Sequence, residues 1–226
     1  DMNRAQYYEL KSVSPILSTE HIAKEDIPFI IANKLCDLSI RRKTGHIDWL
    51  GINLHDDGDH FSFGSVGMSL YGGTIGIACF LHQCKIELAA KKSKITDSAA
   101  TEVNYEIVIS QILEPLCRFI QESTSKELRK WWGDQSLGLS GSGGIILGLQ
   151  LLDRSDLAAQ LIKGLTVERL REDSQYDVIS GCAGLAGALL SLPRSPQVDK
   201  LIFESGNVLN NFAKRYSKSE AANTGL

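Results

Sequence analysis

The chain has 226 residues, with 24 Lys and Arg against 27 Asp and Glu, so its formal net charge is −3. Hydrophobic residues make up 43% and charged residues 23%, which excludes a disordered tail or a collagen-like fibre and leaves enough apolar material for a large core. The slightly acidic balance also lacks the basic surplus expected of a domain that binds nucleic acid.

Helical patterns dominate the chain. Apolar residues recur at helical spacing in six segments: 24–41, 75–88, 103–121, 145–152, 157–170 and 198–216. Pro115 should kink or split the third of these helices. Residues 45–67 are polar and interrupted by glycine, which predicts a long loop with short strands. Strand-like alternation is otherwise nearly absent, so the sequence predicts an all-α fold.

Nothing in the sequence predicts a targeting or membrane segment. The N-terminus lacks the apolar core of a secretory signal, and the most apolar runs, 144–152 and 178–192, are too short or broken to cross a bilayer. We interpret the five cysteines, which form no Cys-x-x-Cys pair, as buried, reduced thiols of a cytoplasmic protein. They are Cys36, Cys79, Cys84, Cys117 and Cys182.

Three glycine-containing segments resemble one another. They read SLYGGTIGIACFL (69–81), GLSGSGGIILGL (138–149) and VISGCAGLAGALL (178–190), and each holds Gly-x-x-Gly before an apolar run. The pattern predicts a tight turn that leads directly into a buried helix. The first glycine can take positive φ, and the second removes a side chain where neighbouring helix starts crowd together. Amphipathic segments lie between the repeats, so we expect inner helices walled by outer ones.

Glycine-lined helix starts also present free backbone N–H groups at the positive end of the helix dipole. Several of them at one end of a ring would make a polar mouth suited to an anion or a thiolate. Close packing of the inner helices accounts for the glycines equally well, and the sequence leaves both interpretations open.

The ordered motifs resemble the lanthionine synthetase C-like family. LYGGTIGIACFL is similar to the family's first helix-start motif, and YDVISGCAGLAGALL (176–190) is similar to its third repeat, including Asp177. Two upstream motifs, EDIPFI (25–30) and IDWLGI (47–52), resemble the class II lanthipeptide synthetases, which join an N-terminal dehydratase to a C-terminal cyclase. The resemblance covers roughly residues 25–226.

The resemblance implies an (α/α) toroid of about seven inner and seven outer helices. This chain would hold about the first three glycine-turn repeats of the seven, so the toroid would be incomplete. We expect residues 1–44 to be a helical lead-in from a preceding domain and residues 45–226 to be the first half of the cyclase. The final residues, 223–226, resemble the segment that leads to the family's next His-Gly pair. Half a ring should also expose apolar faces of its inner helices.

The activity that the resemblance implies is cyclisation in bacterial lantibiotic biosynthesis. A cysteine thiol of a precursor peptide adds to dehydroalanine or dehydrobutyrine and forms a thioether ring. The family's zinc is held by two cysteines and a histidine, in a Trp-Cys-Tyr-Gly-like motif and a Cys-His-Gly motif, and neither occurs here. We therefore assign no metal ligand to this chain and expect it to be inactive alone. The implied partners are the precursor peptide, the rest of the cyclase and a dehydratase domain.

Asp177 is the one residue to which the resemblance gives a catalytic role. The matching Asp of the family lies near the zinc site beside a histidine, where it is proposed to orient or exchange protons. Its position before a helix start also suits a structural cap for the N–H groups at 179–180, and both roles can hold at once. Tyr71 and Tyr176 flank two of the turns, and we expect packed aromatics there, with the lining of a peptide groove as the alternative.

Two other patterns in the sequence give weaker evidence of a functional site. Residues 55–60, HDDGDH, miss the spacing of a calcium loop and are interpreted as a solvated loop. KELRKWW (126–132) combines basic and aromatic residues, which is more typical of an anchored outer helix than of a phosphate or peptide contact.

A non-catalytic, peptide-binding toroid scaffold is the competing function. A glycan-processing toroid is a weaker alternative, because it needs a pair of carboxylates and only Asp177 is well placed.

Overall fold

Helices build most of the chain, which confirms the predicted all-α class. The computed structural model describes residues 23–43, 45–54, 61–92 and 104–224. The residues 55–60 that were interpreted as a solvated loop lie outside this part, as do residues 225–226. The helices are α1 (Ile27–Asp37), α2 (Thr74–Lys92), α3 (Tyr105–Glu122), α4 (Ser125–Asp134), α5 (Ser142–Leu151), α6 (Ser155–Leu161), a 3-10 turn (Ile162–Gly164), α7 (Val167–Arg171), α8 (Cys182–Leu190) and α9 (Pro196–Thr224).

Two small antiparallel sheets lie in residues 45–67, predicted as a loop with short strands, and in residues 40–41 just before them, at the end of a predicted helical segment. One pairs β1 (Ile40–Arg41) with β2 (Ile47–Asp48), and the other pairs β3 (Leu50–Leu54) with β4 (Phe61–Ser65). Trp49 lies between the two sheets, where it is buried and donates its indole N–H to Leu35 O at 2.8 Å. This bond fixes the sheets to the end of α1.

The three glycine-led helices pack side by side in chain order. α2 contacts α5, and α5 contacts α8. Each is backed by a second helix, because α3 packs on α2, α6 on α5 and α9 on α8. The core lies between these two layers, where the apolar stripe of α3 and the nearly all-apolar α5 and α8 are buried.

Two details of the helical pattern differ from expectation. α3 continues through Pro115, so of the two expected outcomes, a kink or a split, the split is wrong. The stripe over 157–170 is not one helix but α6, a 3-10 turn and α7. The chain breaks here because Trp132 donates its indole N–H to Leu161 O at 2.9 Å, and a side chain at Gly164 would lie 2.6 Å from Leu128 Cβ. Thr166 then caps the start of α7 by accepting from Arg169 N.

The KELRKWW segment forms α4 and behaves as an anchored helix. Trp132 is fully buried, while the capping box of Thr124 and Glu127 starts the helix. Arg169 donates to the carbonyl oxygens of Trp132 and Gln135, both at 2.9 Å. These contacts support the anchoring interpretation of the two tryptophans. Over the described ranges, none of the helices combines the length and apolarity that a bilayer crossing requires.

Candidate functional site

The first glycine of each Gly-x-x-Gly pair is required by close approach and not by an unusual backbone angle. Gly141 has φ −124° and Gly181 has φ −109°, so neither turn uses the positive φ that glycine allows. A Cβ atom at Gly181 would lie 2.3 Å from the backbone nitrogen of Tyr176. A side chain has no room there, because the obstructing atom belongs to the backbone.

The second glycine of each pair is equally constrained. A Cβ atom would lie within about 2 Å of the carbonyl oxygen at the start of the same turn, closer than any real contact. The three distances are 2.1 Å from Gly76 to Leu70 O, 2.0 Å from Gly144 to Leu139 O and 1.9 Å from Gly184 to Val178 O. The repeat is therefore geometrical, and the nearest obstacle is the glycine's own turn, whereas the neighbouring helix starts that we expected to crowd it come within 3.0 Å only at Gly144 and Gly184.

The turns before α5 and α8 are joined to each other by backbone hydrogen bonds. Leu139 N–H donates to Val178 O at 3.0 Å, and Ser140 N–H donates to Ile179 O at 2.8 Å. Ser140 adds a second bond from its hydroxyl to the same Ile179 oxygen. Gly138 makes this contact possible, since a Cβ there would lie 2.4 Å from Ile179 O. The two helix starts thus form one rigid unit.

Asp177 lies on the exposed surface of the third turn. Its Oδ1 accepts the N–H of Ser180 at 2.6 Å, the bond expected of a structural cap, while Gly181 is the formal N-cap residue of α8. Its backbone carbonyl accepts from Gly181 and Gly184. The second side-chain oxygen, Oδ2, receives no hydrogen bond from the part of the chain that the structure describes. Asp177 therefore holds the turn with one oxygen and turns the other to solvent.

Sequence reasoning missed the carboxylate that organises this turn. Asp173 is only 7% exposed, and it accepts backbone N–H groups from Gln175, Tyr176 and Cys182 at 3.2, 3.1 and 2.7 Å. Its negative charge lies at the positive end of α8, where helix dipoles favour an anion. The signal was an Asp followed by Ser-Gln, typical of a turn that folds back on its own side chain.

Tyr176 is packed, as expected, and also borders a cleft. Its ring stacks on Phe212 with centroids 4.1 Å apart and an angle of 14° between the planes. Tyr176 has φ +61°, a left-handed conformation that is uncommon for a bulky residue. Tyr71, by contrast, is exposed beside Gly72 and Gly73 in a shallow depression at the first turn.

The described residues do not fit a zinc ion. Within residues 23–43, 45–54, 61–92 and 104–224, no three His, Cys, Asp or Glu side chains come together in a group that could hold a metal. Cys79 Sγ approaches Gly148 O at 3.6 Å, and Cys182 Sγ approaches Ser205 O at 3.9 Å. Burial raises the pKa of the Cys79 thiol to about 11 and raises that of Cys182 as well. Within the described residues, both thiols are packing groups whose contacts are with backbone carbonyl oxygens.

The raised pKa of Cys79 predicts low reactivity. At pH 8 only about one Cys79 thiol in a thousand is ionised, whereas an exposed cysteine is ionised to roughly a quarter, and the thiolate is the nucleophile. We expect iodoacetamide to alkylate Cys79 at least ~100-fold more slowly in the native chain than in urea. Quantitative mass spectrometry of the peptide that contains Cys79 measures both rates, and equal rates would contradict its burial.

A profile of the family described as Lanthionine synthetase C-like protein matches residues 64–226, well over half of the chain. No curated protein matches the chain. No solved structure matches it either. The matched region contains all three glycine turns, the helices that they begin and Asp177, which are the features described above. The chain belongs to the lanthionine synthetase C-like family.

Proposed function

We propose that this chain is part of a lanthipeptide cyclase of the class II type, which closes thioether rings in a precursor peptide during bacterial lantibiotic biosynthesis. The observation that carries the proposal is the set of three glycine-turn helix starts, in family order, with Asp177 directly before the third. Family membership supports a lanthionine synthetase-like cyclase in general. Substrate, class and cytoplasmic location are the more specific parts of the proposal.

The proposed architecture is an arc of an (α/α) toroid, with residues 45–226 as its first half. The order of contacts supports an arc, because α2, α5 and α8 follow one another as an inner row while α3, α6 and α9 back them. Apolar side chains on α8, the last helix of this inner row, and on the turn before it are more than half exposed, as an open edge requires. They are Val178, Ile179 and Leu190. The rest of the cyclase and a dehydratase domain are the proposed partners.

The reaction adds a thiol across a carbon–carbon double bond. The thiol loses its proton, its sulfur bonds to the β-carbon of the dehydro residue, and the α-carbon receives a proton, so the overall addition is balanced. Proton transfer at the α-carbon needs a positioned acid or a group that orients one, a contribution of roughly 10²- to 10⁴-fold in comparable enzymes. In our proposal Asp177 supplies this function through Oδ2, which accepts no hydrogen bond from the described residues, while Oδ1 keeps the turn in place.

The proposed zinc is not assigned to residues of this chain. The sequence contains neither a Trp-Cys-Tyr-Gly-like motif nor a Cys-His-Gly motif, and the described residues offer no ligand group. We place the ligands in other repeats of the domain and derive no step through the metal. On the same ground, we propose that the 226 residues alone do not cyclise a peptide.

Replacing Asp177 tests the proposed role. Asp177→Asn keeps an oxygen for the Ser180 N–H but removes the charge, so the turn should persist while cyclisation falls by about 100-fold or more. The assay is ring formation in a dehydrated precursor peptide, measured by thiol alkylation and mass spectrometry, in the cyclase that contains this segment. Thermal unfolding of each variant is measured alongside.

Two comparisons separate catalysis from capping. Asp177→Ala removes both the charge and the cap, so it should lose activity to the same degree and also lower the unfolding temperature slightly. Ser140→Ala is the control, because it removes the hydrogen bonds of the Ser140 hydroxyl to Ile179 O and to the Ser136 hydroxyl without touching Asp177. If Asp177→Asn cyclises at the wild-type rate, Asp177 is a cap only, and the non-catalytic scaffold becomes the better function.

A further inference from the structure

A polar cleft of about 380 Å³ lies between α9 and the segment that precedes α8. Its walls carry the guanidinium groups of Arg171 and Arg215, the side-chain amides of Asn207 and Asn211, and the ring of Tyr176. A volume in this range is common for sites that take a small ligand or a few residues of a peptide. The lining is rich in hydrogen-bond donors, which suits carboxylates and peptide carbonyls.

The two arginines differ in whether a carboxylate of the described residues pairs with them. Arg171 pairs with Glu204 at 3.2 Å, and the Glu204 side chain is largely buried. Arg215 lies on the exposed part of α9 and forms no ion pair or hydrogen bond with the described part of the chain. Among the described residues, the cleft therefore offers one positive charge without a paired carboxylate, which favours a ligand whose negative charges are single and separated.

The donors on α9 form a row. Asn207, Asn211 and Arg215 are spaced four residues apart, so they lie on one face of the helix over about 12 Å. An extended peptide advances by roughly 3.3 Å per residue, so about four residues span the row. Two amides followed by a guanidinium match peptide backbone groups followed by a carboxylate.

Tyr176 connects the cleft to the candidate catalytic residue along the chain. Tyr176, which lines the cleft, immediately precedes Asp177. Its left-handed conformation is held by the bond from its N–H to Asp173 and by the stack on Phe212. Such a strained conformation in a bulky residue concentrates at ligand and active sites. The cleft and the turn that carries Asp177 therefore share Tyr176.

We propose that this cleft binds an extended acidic segment of the substrate peptide, with a carboxylate at Arg215 and the peptide backbone along Asn207 and Asn211. The inference rests on the proposed function, since it takes the substrate to be a peptide. A nucleotide or another polyphosphate fits less well, because the carboxylate of Glu204 faces the same cleft and repels a concentrated negative charge.

Fluorescence anisotropy with the 226-residue chain tests the site. The probe is a fluorescein-labelled hexapeptide of alternating Gly and Glu, and its matched control has Gln in place of each Glu. Arg215→Gln should weaken binding of the acidic probe about 10-fold, the loss expected for one charge-assisted hydrogen bond. Lys214→Gln is the control variant, because it makes the same charge change at an exposed neighbour that does not line the cleft. It should leave the affinity within about twofold.

A third variant tests the direction of the charge effect. Glu204→Gln removes the carboxylate that competes for Arg171, so it should tighten binding of the acidic probe. The proposal is overturned if the acidic probe shows no saturable binding, if the Gln peptide binds equally well, or if both arginine and lysine variants weaken binding alike. Displacement by inorganic phosphate as effective as by unlabelled acidic peptide would also overturn it, since the site would then be one for phosphate.

The proposed peptide binding in the cleft and the proposed catalytic role of Asp177 can each be wrong without the other, and the two cases give different experimental results. Asp177→Asn should bind the acidic probe like the wild-type chain, because Asp177 does not line the cleft. Loss of binding in Arg215→Gln together with unimpaired cyclisation in Asp177→Asn would refute the proposed function and leave the peptide site. Normal binding in Arg215→Gln together with lost cyclisation in Asp177→Asn would support the proposed function and refute the peptide site.

Discussion

Gly184→Ala should lower the free energy of unfolding by about 3 kcal/mol. The added Cβ would lie 1.9 Å from Val178 O and 3.0 Å from the Cα atom of Gly138, both backbone atoms. No side-chain rotation relieves such a clash, so the turn before α8 must move away from the turn before α5. For a chain of this size the melting temperature should fall by roughly 6–12 °C, which differential scanning calorimetry measures.

Gly187→Ala provides the matched control. Gly187 lies in the same helix, three residues further on, and a Cβ there would meet no atom within 4 Å. Alanine is the better helix former, so this variant should gain about 0.5–1 kcal/mol. Equal destabilisation by the two substitutions would mean that helix packing in general, and not the crowded turn, demands glycine. A neutral Gly184→Ala would remove the steric basis of the repeat.

The helices were predictable because their signal is local. Apolar spacing located α3 and α9 to within a few residues at their starts, since strands and loops rarely produce a long apolar stripe at helical period. The division of 157–170 was not predictable, because it depends on the indole of Trp132, which is distant in sequence and bonds to Leu161 O. The pairing of β3 with β4 was only partly predictable, because glycine interrupts the alternation of apolar and polar residues in these strands.

The candidate site shows the same limit. Motif order located the three turns, but the geometry changed the reason for their glycines: Gly141 and Gly181 avoid a clash at negative φ instead of adopting positive φ. Asp177 was found because it is part of a motif. Asp173 was not, because its bond to Cys182 N–H spans nine residues and forms only when the turn has folded. A side chain that acts through tertiary contacts leaves little trace in spacing alone.

Asp173→Ala should lower the free energy of unfolding by about 3 kcal/mol. The substitution leaves three backbone N–H groups without their acceptor, and the N–H of Cys182 is buried where water cannot replace the carboxylate. It also removes the negative charge at the start of α8. A charge in this position stabilises the helix by about 0.3–1 kcal/mol when exposed and by up to ~2 kcal/mol when partly buried. Chemical denaturation with urea, followed by far-UV circular dichroism, measures the loss.

Asp177→Ala is the matched control, because it removes a carboxylate from the same turn at an exposed position. Asp177 lies in the same turn but is exposed and holds a single backbone N–H, so its loss should cost no more than about 1 kcal/mol. Asp173→Asn should fall between the two, because the amide keeps one acceptor oxygen but loses the charge. If Asp173→Ala and Asp177→Ala destabilise the chain equally, the buried carboxylate does not organise the turn. In that case Tyr176 must owe its left-handed conformation to the stack on Phe212 alone.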